Sequence, residues 1–368
     1  MSEPRPIETE LDLMRGYLKA DPDNASLRLD TAEIAARAGR PDVVEEVLAD
    51  DASARATSIR GLAAMVDKDF ESAADIFRSL DAREPASPSL RFNLAWSEAM
   101  LGNKTAALEA LDTATVEALP QAAALAVQIT HEAGDFEGAF ELAMQCLERF
   151  PEDPGLNAAM AELAMDLERE DIARRCAGKS LAHPIGRTAM GMFALQDNDV
   201  DRAADLFDSA LAESPNHARS WIGRGLVSLK RSQPQQAAED LDKGASIFGD
   251  HLGSWVASGW AHAIAGDTDA AHARFTKVVE LDPTFGEGQG SLAALDAMAG
   301  RHDAAMERAK VARRLDGESL TATLATILVN QSKGNTERAQ ALFDAAIRQP
   351  VDDKGTTLMD LLVSMNVG

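Results

Sequence analysis

A short pattern of residues recurs along this chain at a nearly constant interval. In its clearest copies, at 68–85, 198–215 and 265–283, a helix-breaking residue and a polar pair precede an alanine, and a phenylalanine follows. The alanine, or the small or apolar residue in its place, is called the anchor here and occurs ten times: Val44, Ala73, Ala107, Ala139, Ala173, Ala203, Ala237, Ala271, Ala305 and Ala339. Six of the nine intervals between anchors are 34 residues, and the others are 29, 32 and 30. Such a period is typical of repeat proteins, so the 368 residues need not be divided into ordinary globular domains.

Fixed distances from the anchor carry the residue types that two closely packed helices need. Five residues before it stand residues that accept the left-handed backbone of a helix end: Gly39, Gly102, Gly134, Asn198, Gly266, Gly300 and Gly334. Twelve before it stand small residues that let helices approach: Ala32, Gly61, Ala95, Ala161, Gly191, Gly225, Gly259 and Ala293. Four after it come rings that fill the layer between repeats: Phe77, Phe207, Phe275 and Phe343. Prolines, which cannot continue a helix, close four copies: Pro85, Pro151, Pro215 and Pro283.

Together these motifs resemble the tetratricopeptide repeat (TPR) family, whose 34-residue repeat folds as two antiparallel helices. The resemblance extends over residues 22 to 353 and implies an all-α fold, a right-handed α-solenoid or superhelix of antiparallel helix pairs. We expect an N-terminal orphan or capping helix in 1–22, one continuous solenoid of about ten repeats in 23–353, and a C-terminal capping helix in 354–368. Glu168 departs from the family pattern at the turn position, and the intervals of 29 and 30 residues predict irregular stacking after repeats one and five.

The charge of the chain limits the classes of possible partners, and its cysteine content bears on the cellular compartment. The chain has 36 basic and 60 acidic side chains, a formal net charge of −24, which argues against nucleic acid and against anionic membrane surfaces as partners. Neither a signal peptide nor an apolar run long enough to insert into a membrane is recognisable. Two cysteines thirty residues apart form no disulfide framework. We therefore expect a cytoplasmic protein.

No motif predicts catalysis, a cofactor or a metal site. The seven histidines form no HExxH motif, and Cys146 and Cys176 have no histidine beside them in sequence, so we expect both thiols to be packed. Gly286, Gly288 and Gly290 superficially suggest a phosphate-binding loop, but they follow a helix pattern and no Walker lysine follows them. We expect them to form a flexible loop between repeats. The chain is accordingly predicted not to be an enzyme.

The resemblance implies that the first helix of each repeat lines a concave groove in which ligands lie. Positions roughly fifteen, eleven, eight and seven residues before the anchor would face it, and many are apolar: Phe92, Trp96, Met100, Met192, Leu195, Ile222, Leu226, Leu229, Val256, Trp260 and Ile264. Lys, Asn and Arg, which one TPR subclass uses there to bind a C-terminal carboxylate, are mostly missing. These faces therefore predict an apolar or amphipathic protein or peptide segment as partner. In the alternative interpretation they pack between neighbouring first helices.

Repeats four and five are strongly acidic. Between Gly134 and Ile172 there are eleven acidic residues and two arginines, and the predicted groove there contains Glu132, Glu162 and Asp166. A partner whose apolar stripe is flanked by basic residues would match this surface, although a charged run is more often a solvated face. The basic stretch from Arg301 to Arg314 is too small to attract nucleic acid.

We therefore expect a non-catalytic protein–protein interaction scaffold, adaptor or chaperone. The alternatives are a self-associating structural subunit, which could be a homo-oligomer, and the regulatory subunit of an enzyme.

Overall fold

The computed structural model describes residues 7–83 and 87–349, and within these ranges the chain forms 22 α-helices and no strand. It divides into two compact units, 1–180 and 181–368, which are described separately. Unit 1 contains α1 Ile7–Ala20, α2 Ala25–Arg37, α3 Pro41–Leu48, α4 Ala54–Val66, α5 Phe70–Asp81, α6 Pro88–Met100, α7 Lys104–Ala110, α8 Thr113–Ala118, α9 Pro120–Glu132, α10 Phe136–Arg149, α11 Pro154–Asp166 and α12 Glu170–Lys179.

Unit 2 contains the remaining ten helices of the described part of the chain. They are α13 Pro184–Gln196, α14 Val200–Glu213, α15 Ala218–Lys230, α16 Pro234–Phe248, α17 Leu252–Ala265, α18 Thr268–Leu281, α19 Gly286–Met298, α20 His302–Leu315, α21 Leu320–Ser332 and α22 Thr336–Ala346. After α1 the described helices follow one another as ten pairs, each made of a first and a second helix, beginning with α2 and α3. In the third pair the second helix is divided into α7 and α8. The predicted all-α fold of helix pairs is confirmed.

The same turn joins the two helices in all ten described pairs. The amide four residues before the anchor donates to the carbonyl nine before it, as from Asn103 N to Glu98 O at 2.9 Å. The residue five before the anchor has a positive φ in every pair: Gly39, Lys68, Gly102, Gly134, Glu168, Asn198, Ser232, Gly266, Gly300 and Gly334. A residue with a Cβ is destabilised in this backbone region by about 1–2 kcal/mol. The turn is therefore strained where lysine, glutamate or serine occupies this position.

Replacing Glu168 by glycine should stabilise unit 1 by about 1 kcal/mol, because glycine adopts a φ of 56° without a Cβ clash. The urea midpoint of unfolding, followed by circular dichroism, measures this change. Gly134→Glu, at the equivalent turn of another pair, should shift the midpoint in the opposite direction. A lower urea midpoint for Glu168→Gly would contradict the prediction that Glu168 strains the turn.

Large side chains of the second helices are buried against glycines of the first helices. Phe207 of α14 lies between Gly191 of α13 and Gly223 of α15, where an added Cβ would come within 2.8 and 2.2 Å of the ring. The ring is 0% exposed, and all ten anchors are at most 2% exposed. One ring thus joins the two helices of its own pair and the first helix of the next.

In eight of the ten described pairs the residue twelve before the anchor is glycine or alanine; the other two pairs have Val127 with Ala143 and Ile327 with the exposed Phe343. Where glycine stands twelve before the anchor, the residue four after the anchor is large and its side chain contacts that glycine: Gly61–Phe77, Gly191–Phe207, Gly225–Leu241 and Gly259–Phe275. Alanine there is paired with leucine or alanine, in Ala32–Leu48, Ala95–Leu111, Ala161–Ala177 and Ala293–Ala309. Because close packing penalises overlaps, the large side chain in each of the four glycine contacts needs glycine at the facing position.

Gly259→Ala should destabilise unit 2 by about 1–3 kcal/mol, because the new methyl would lie 2.3 Å from the Phe275 ring. Phe275→Leu in the same chain should recover part of this loss, so that the double variant is more stable than the sum of the single effects. Gly317→Ala, in the same unit, is the control, since no atom lies within 4 Å of its added Cβ. Thermal and urea unfolding measure the stability of each variant. If the effects of Gly259→Ala and Phe275→Leu simply add, the contact between the two side chains is not the cause of the destabilisation.

Phe343 differs from the other rings at its position. It is 45% exposed, whereas Phe77, Phe207 and Phe275 are 0% exposed. No helix follows α22 within the described residues. The predicted capping helix at 354–368 lies outside them and stays a prediction, as does the single continuous solenoid. The boundary between the two units, at Ser180 and Leu181, falls within the interval of 30 residues.

The prediction of a flexible loop at Gly286, Gly288 and Gly290 is wrong. All three glycines are buried in α19. A Cβ on Gly288 would approach Val278 to 2.8 Å, and one on Gly290 would approach Thr321 Oγ1 to 2.1 Å. Glycine is needed here because α19 packs closely against α18 and α21.

None of the helices in the described part of the chain combines the length and the apolar character that crossing a bilayer requires.

Candidate protein-binding face

Three of the predicted groove residues form a partly exposed apolar stripe on α6 of unit 1. Phe92, Trp96 and Met100 are spaced four residues apart and therefore share one side of the helix. Phe92 packs against the core of the unit, and its ring centroid lies 6.2 Å from that of Trp96. Trp96 is 37% exposed and Met100 46% exposed.

The stripe continues onto α4, which contacts α6, through a residue that sequence reasoning missed. Val66 is 48% exposed at the end of α4 and stands seven residues before its anchor, as Met100 does. The equal distance from the anchor was the signal that could have identified it.

The acidic groove residues occupy the two first helices that follow. Glu132 at the end of α9 and Asp166 at the end of α11 also stand seven residues before their anchors. Helices α4, α6, α9 and α11 contact one another in this order. Val66, Met100, Glu132 and Asp166 therefore form a row, called the first-helix row here, which is apolar on two helices and acidic on the next two.

Neighbouring groups partly neutralise the acidic half of the row. Lys104 Nζ lies 3.4 Å from Glu132 Oε2, and Gln128 Nε2 donates to the other carboxylate oxygen of Glu132 at 2.9 Å. His131 Nε2 lies 2.9 Å from Asp166 Oδ2. Glu162, on α11, is half-buried. Lys104 and Gln128 thus hold the Glu132 carboxylate and His131 contacts that of Asp166, and the two acidic side chains stay partly exposed, at 46% and 27%.

In unit 2 most of the predicted groove residues pack between helices. Clusters with buried apolar side chains include the residues Met192, Leu195, Ile222, Leu226, Leu229 and Val256. Trp260 lies against Phe275, with ring centroids 5.3 Å apart. Only Ile264 of the predicted set in unit 2 is well exposed, at 64%. Met298, seven residues before the next anchor and 54% exposed, was missed by sequence reasoning.

A cluster of serine, histidine and aspartate in unit 2 lacks the order that a catalytic triad requires. Asp242 of α16 accepts hydrogen bonds from Ser258 Oγ and from two nitrogens of Arg274, at 2.9 and 2.6 Å. His262 Nε2 lies 3.0 Å from Asp242 Oδ2. A triad places the imidazole between the hydroxyl and the carboxylate, where it can accept the hydroxyl proton. Here the carboxylate is central, and the cluster joins α16, α17 and α18.

Charge–charge and hydrogen-bond interactions give this cluster a defined pH dependence. Burial raises the pKa of the Asp242 carboxyl, but hydrogen bonds from Arg274, Ser258 and His262 outweigh burial and lower this pKa to about 2. A carboxyl whose folded pKa lies below its unfolded pKa stabilises the fold above the unfolded value, and this stabilisation is lost as the pH falls towards the folded value.

Asp242→Asn should lower the free energy of unfolding of unit 2 by about 2 kcal/mol at pH 7, since an amide cannot pair with Arg274 as the carboxylate does. Between pH 5 and pH 2 the difference should shrink, because the carboxyl of the unfolded chain becomes protonated while folded Asp242 stays ionised down to its pKa of about 2. Urea unfolding at a series of pH values measures the difference. Asp250→Asn, at an exposed loop residue, is the control. A difference that does not change with pH would contradict the ionic contribution.

The two cysteines are free and buried, as expected for packed thiols. Burial raises the pKa of both the Cys146 and the Cys176 thiol, which lowers the thiolate fraction and makes both poor nucleophiles. Among the residues that the structure describes, no group of three or more His, Cys, Asp or Glu side chains is placed to hold a metal ion.

The sequence model of the tetratricopeptide repeat matches residues 60–123 and 188–249. The chain contains tetratricopeptide repeats. A TPR fold is in general a non-catalytic module that binds other proteins, and this fold indicates an interaction scaffold. Among curated proteins, none matches the sequence.

Several solved TPR structures resemble this chain. The human IFIT1 dimer with m7Gppp-AAAA is 13% identical with a TM-score of 0.50, over 93% of this chain and 95% of IFIT1. A monomeric mutant of IFIT1 with m7Gppp-AAAA is 13% identical with a TM-score of 0.52, over 86% of this chain and 89% of that chain. A tetratricopeptide repeat protein from Parabacteroides merdae is 17% identical with a TM-score of 0.43, over 62% and 93% of the two chains. At these identities the likeness concerns the fold alone.

Proposed function

We propose that unit 1 binds an amphipathic segment of another protein along the first-helix row. The observation that carries the proposal is the change from apolar to acidic side chains along four successive first helices, at one position of the repeat. Apolar side chains of the partner would cover Val66, Trp96 and Met100, and its lysines or arginines would meet Glu132 and Asp166.

The exposure of these side chains supports a binding role. Soluble proteins rarely leave adjoining large apolar side chains in water unless a partner covers them. Trp96, Met100 and Val66 are each between 37% and 48% exposed on neighbouring helices. Tryptophan is among the side chains that contribute most to binding when a partner buries them.

The row also limits the length of the partner segment. Neighbouring helices lie about 8–10 Å apart, so the three steps from α4 to α11 span about 24–30 Å. A helical partner would need about 16–20 residues to cross this distance at 1.5 Å per residue.

A protein partner agrees better with the charge of the chain than a nucleic acid does. IFIT1 was solved with m7Gppp-AAAA, and it shares the fold of this chain. Affinity for a phosphate backbone comes mainly from lysine and arginine, whereas this chain has a formal net charge of −24. We therefore propose that the row binds a protein segment flanked by basic residues. The chain would act as a cytoplasmic adaptor or chaperone.

The double variant Trp96→Ala/Met100→Ala tests the apolar half of the row together with Trp96, which lies one turn before Met100 on α6. Loss of the two side chains should weaken partner binding by about 2 kcal/mol or more, roughly thirtyfold, because alanine leaves the partner's apolar groups without contact. Affinity capture from native lysate with quantitative mass spectrometry identifies the partner, and titration with the purified partner measures the loss. Met144→Ala is the control, at a 41% exposed methionine of the second helix α10.

A second arm of this experiment tests the acidic half. Glu132→Gln/Asp166→Asn keeps the shape of both side chains but removes two charges, and should make binding weaker and less sensitive to salt. Circular dichroism and thermal unfolding confirm that each variant is folded. Unchanged affinity in a folded Trp96→Ala/Met100→Ala variant would exclude this face.

A further inference from the structure

A cavity of about 480 Å³ in unit 2 shares no residue with the first-helix row and contains two arginines. It is lined by residues of α18, α19, α20 and the turn between α19 and α20, among them Thr268, His272, Asp296, Arg301 and Arg308. Its volume lies within the range of about 300–1,000 Å³ that is typical of small-molecule sites.

A buried carboxylate holds both arginines in place. Asp296 is 5% exposed and accepts a hydrogen bond from Arg301 Nε at 2.8 Å and from Arg308 Nε at 3.0 Å. Each guanidinium uses only its Nε in these bonds. Among the residues that the structure describes, no acceptor is bonded to the terminal Nη1 and Nη2 groups of either arginine. Both side chains are partly exposed, so four terminal nitrogens remain available as donors to a ligand.

Other helix pairs show that the fold does not need two arginines at this place. Asp296 stands nine residues before its anchor and accepts a hydrogen bond from Arg301, the first residue after the turn glycine. The equivalent Glu98 of unit 1 is bonded to Arg78 and to the neutral Asn103. The equivalent Asn330, in the next pair, lies 3.4 Å from Asn335 across the same turn. One cation or none is sufficient for the turn, and the cavity therefore contains a positive charge that the turn does not require.

The remaining charge and the apolar part of the lining indicate the class of ligand. Two arginines against Asp296 leave a charge of +1, and the exposed Asp269 carboxylate, which also lines the cavity, lowers the formal charge of the lining to zero and opposes an anion of higher charge. A carboxylate carries a single negative charge and its planar shape matches the donor geometry of guanidinium groups. Leu295, Ala299 and Ala304 provide apolar surface for a short aliphatic body.

We propose that this cavity binds a small aliphatic monocarboxylate, with its carboxylate on the terminal nitrogens of Arg301 and Arg308. The site is independent of the first-helix row, because all of its lining residues belong to unit 2.

Calorimetric titration of the full chain tests the site with butyrate as the probe. We expect saturable binding of one butyrate per chain, and at least tenfold weaker binding of butyramide, which has the same shape without the charge. Inorganic phosphate should bind more weakly than butyrate at pH 7.5, because Asp269 opposes the second negative charge. Phosphate binding as tight as that of butyrate would overturn the assignment to a carboxylate.

Two variants locate the binding in this cavity. Arg308→Gln removes one guanidinium and should weaken butyrate binding at least tenfold, whereas Arg314→Gln, at an exposed arginine of α20 that does not line the cavity, should leave it unchanged. If Arg308→Gln unfolds, Ala304→Phe keeps the arginine cluster and fills the cavity, and it should abolish binding in a chain with a wild-type melting temperature. Absence of saturable butyrate binding to the wild type, or equal binding by wild type and Ala304→Phe, would overturn the proposal.

Discussion

In four of the described helix pairs of this protein, one close approach places a glycine, twelve residues before the anchor, against the large side chain four residues after it. Dispersion contacts are short-ranged, so a gap or an overlap at this point affects the whole pair. Phe207 shows the consequence most clearly, because it lies between Gly191 of its own pair and Gly223 of the next. Stability is thus built from thin layers between successive helices, as in other repeat proteins.

The glycine contacts between paired helices do not involve the positions seven and eleven residues before the anchor, so these positions of the first helices can differ between repeats. The position seven residues before the anchor is Val66, Met100, Glu132 and Asp166 along unit 1. The residue eleven before the anchor can be exposed or packed. Trp96 in unit 1 is partly exposed, whereas Trp260 in unit 2 lies against Phe275. A face that is exposed in one repeat can therefore belong to the core in another, without any change in the repeat pattern.

The turn between the two helices has a similar constant part and variable part. Its backbone hydrogen bond is the same in all ten described pairs, while the side chain nine residues before the anchor varies among Glu98, Asp296 and Asn330. With a carboxylate there, burial has to be offset by a cation. In the pair of α19 and α20, two arginines meet that requirement and have donor groups left over.

The sequence by itself determined the fold class, the ten anchors and most of the turn positions, because these depend on spacing along the chain and on residue size. It also selected the apolar stripe of α6 and the acidic residues of α9 and α11. Only the tertiary structure decided which apolar residues of the first helices are exposed, placed Gly286, Gly288 and Gly290 inside a helix, and brought Asp242, Ser258, His262 and Arg274 together. The physical reason is that burial and hydrogen bonding depend on residues of neighbouring helices, about 15 to 35 positions away, and a 34-residue period does not specify which side chains those neighbours present.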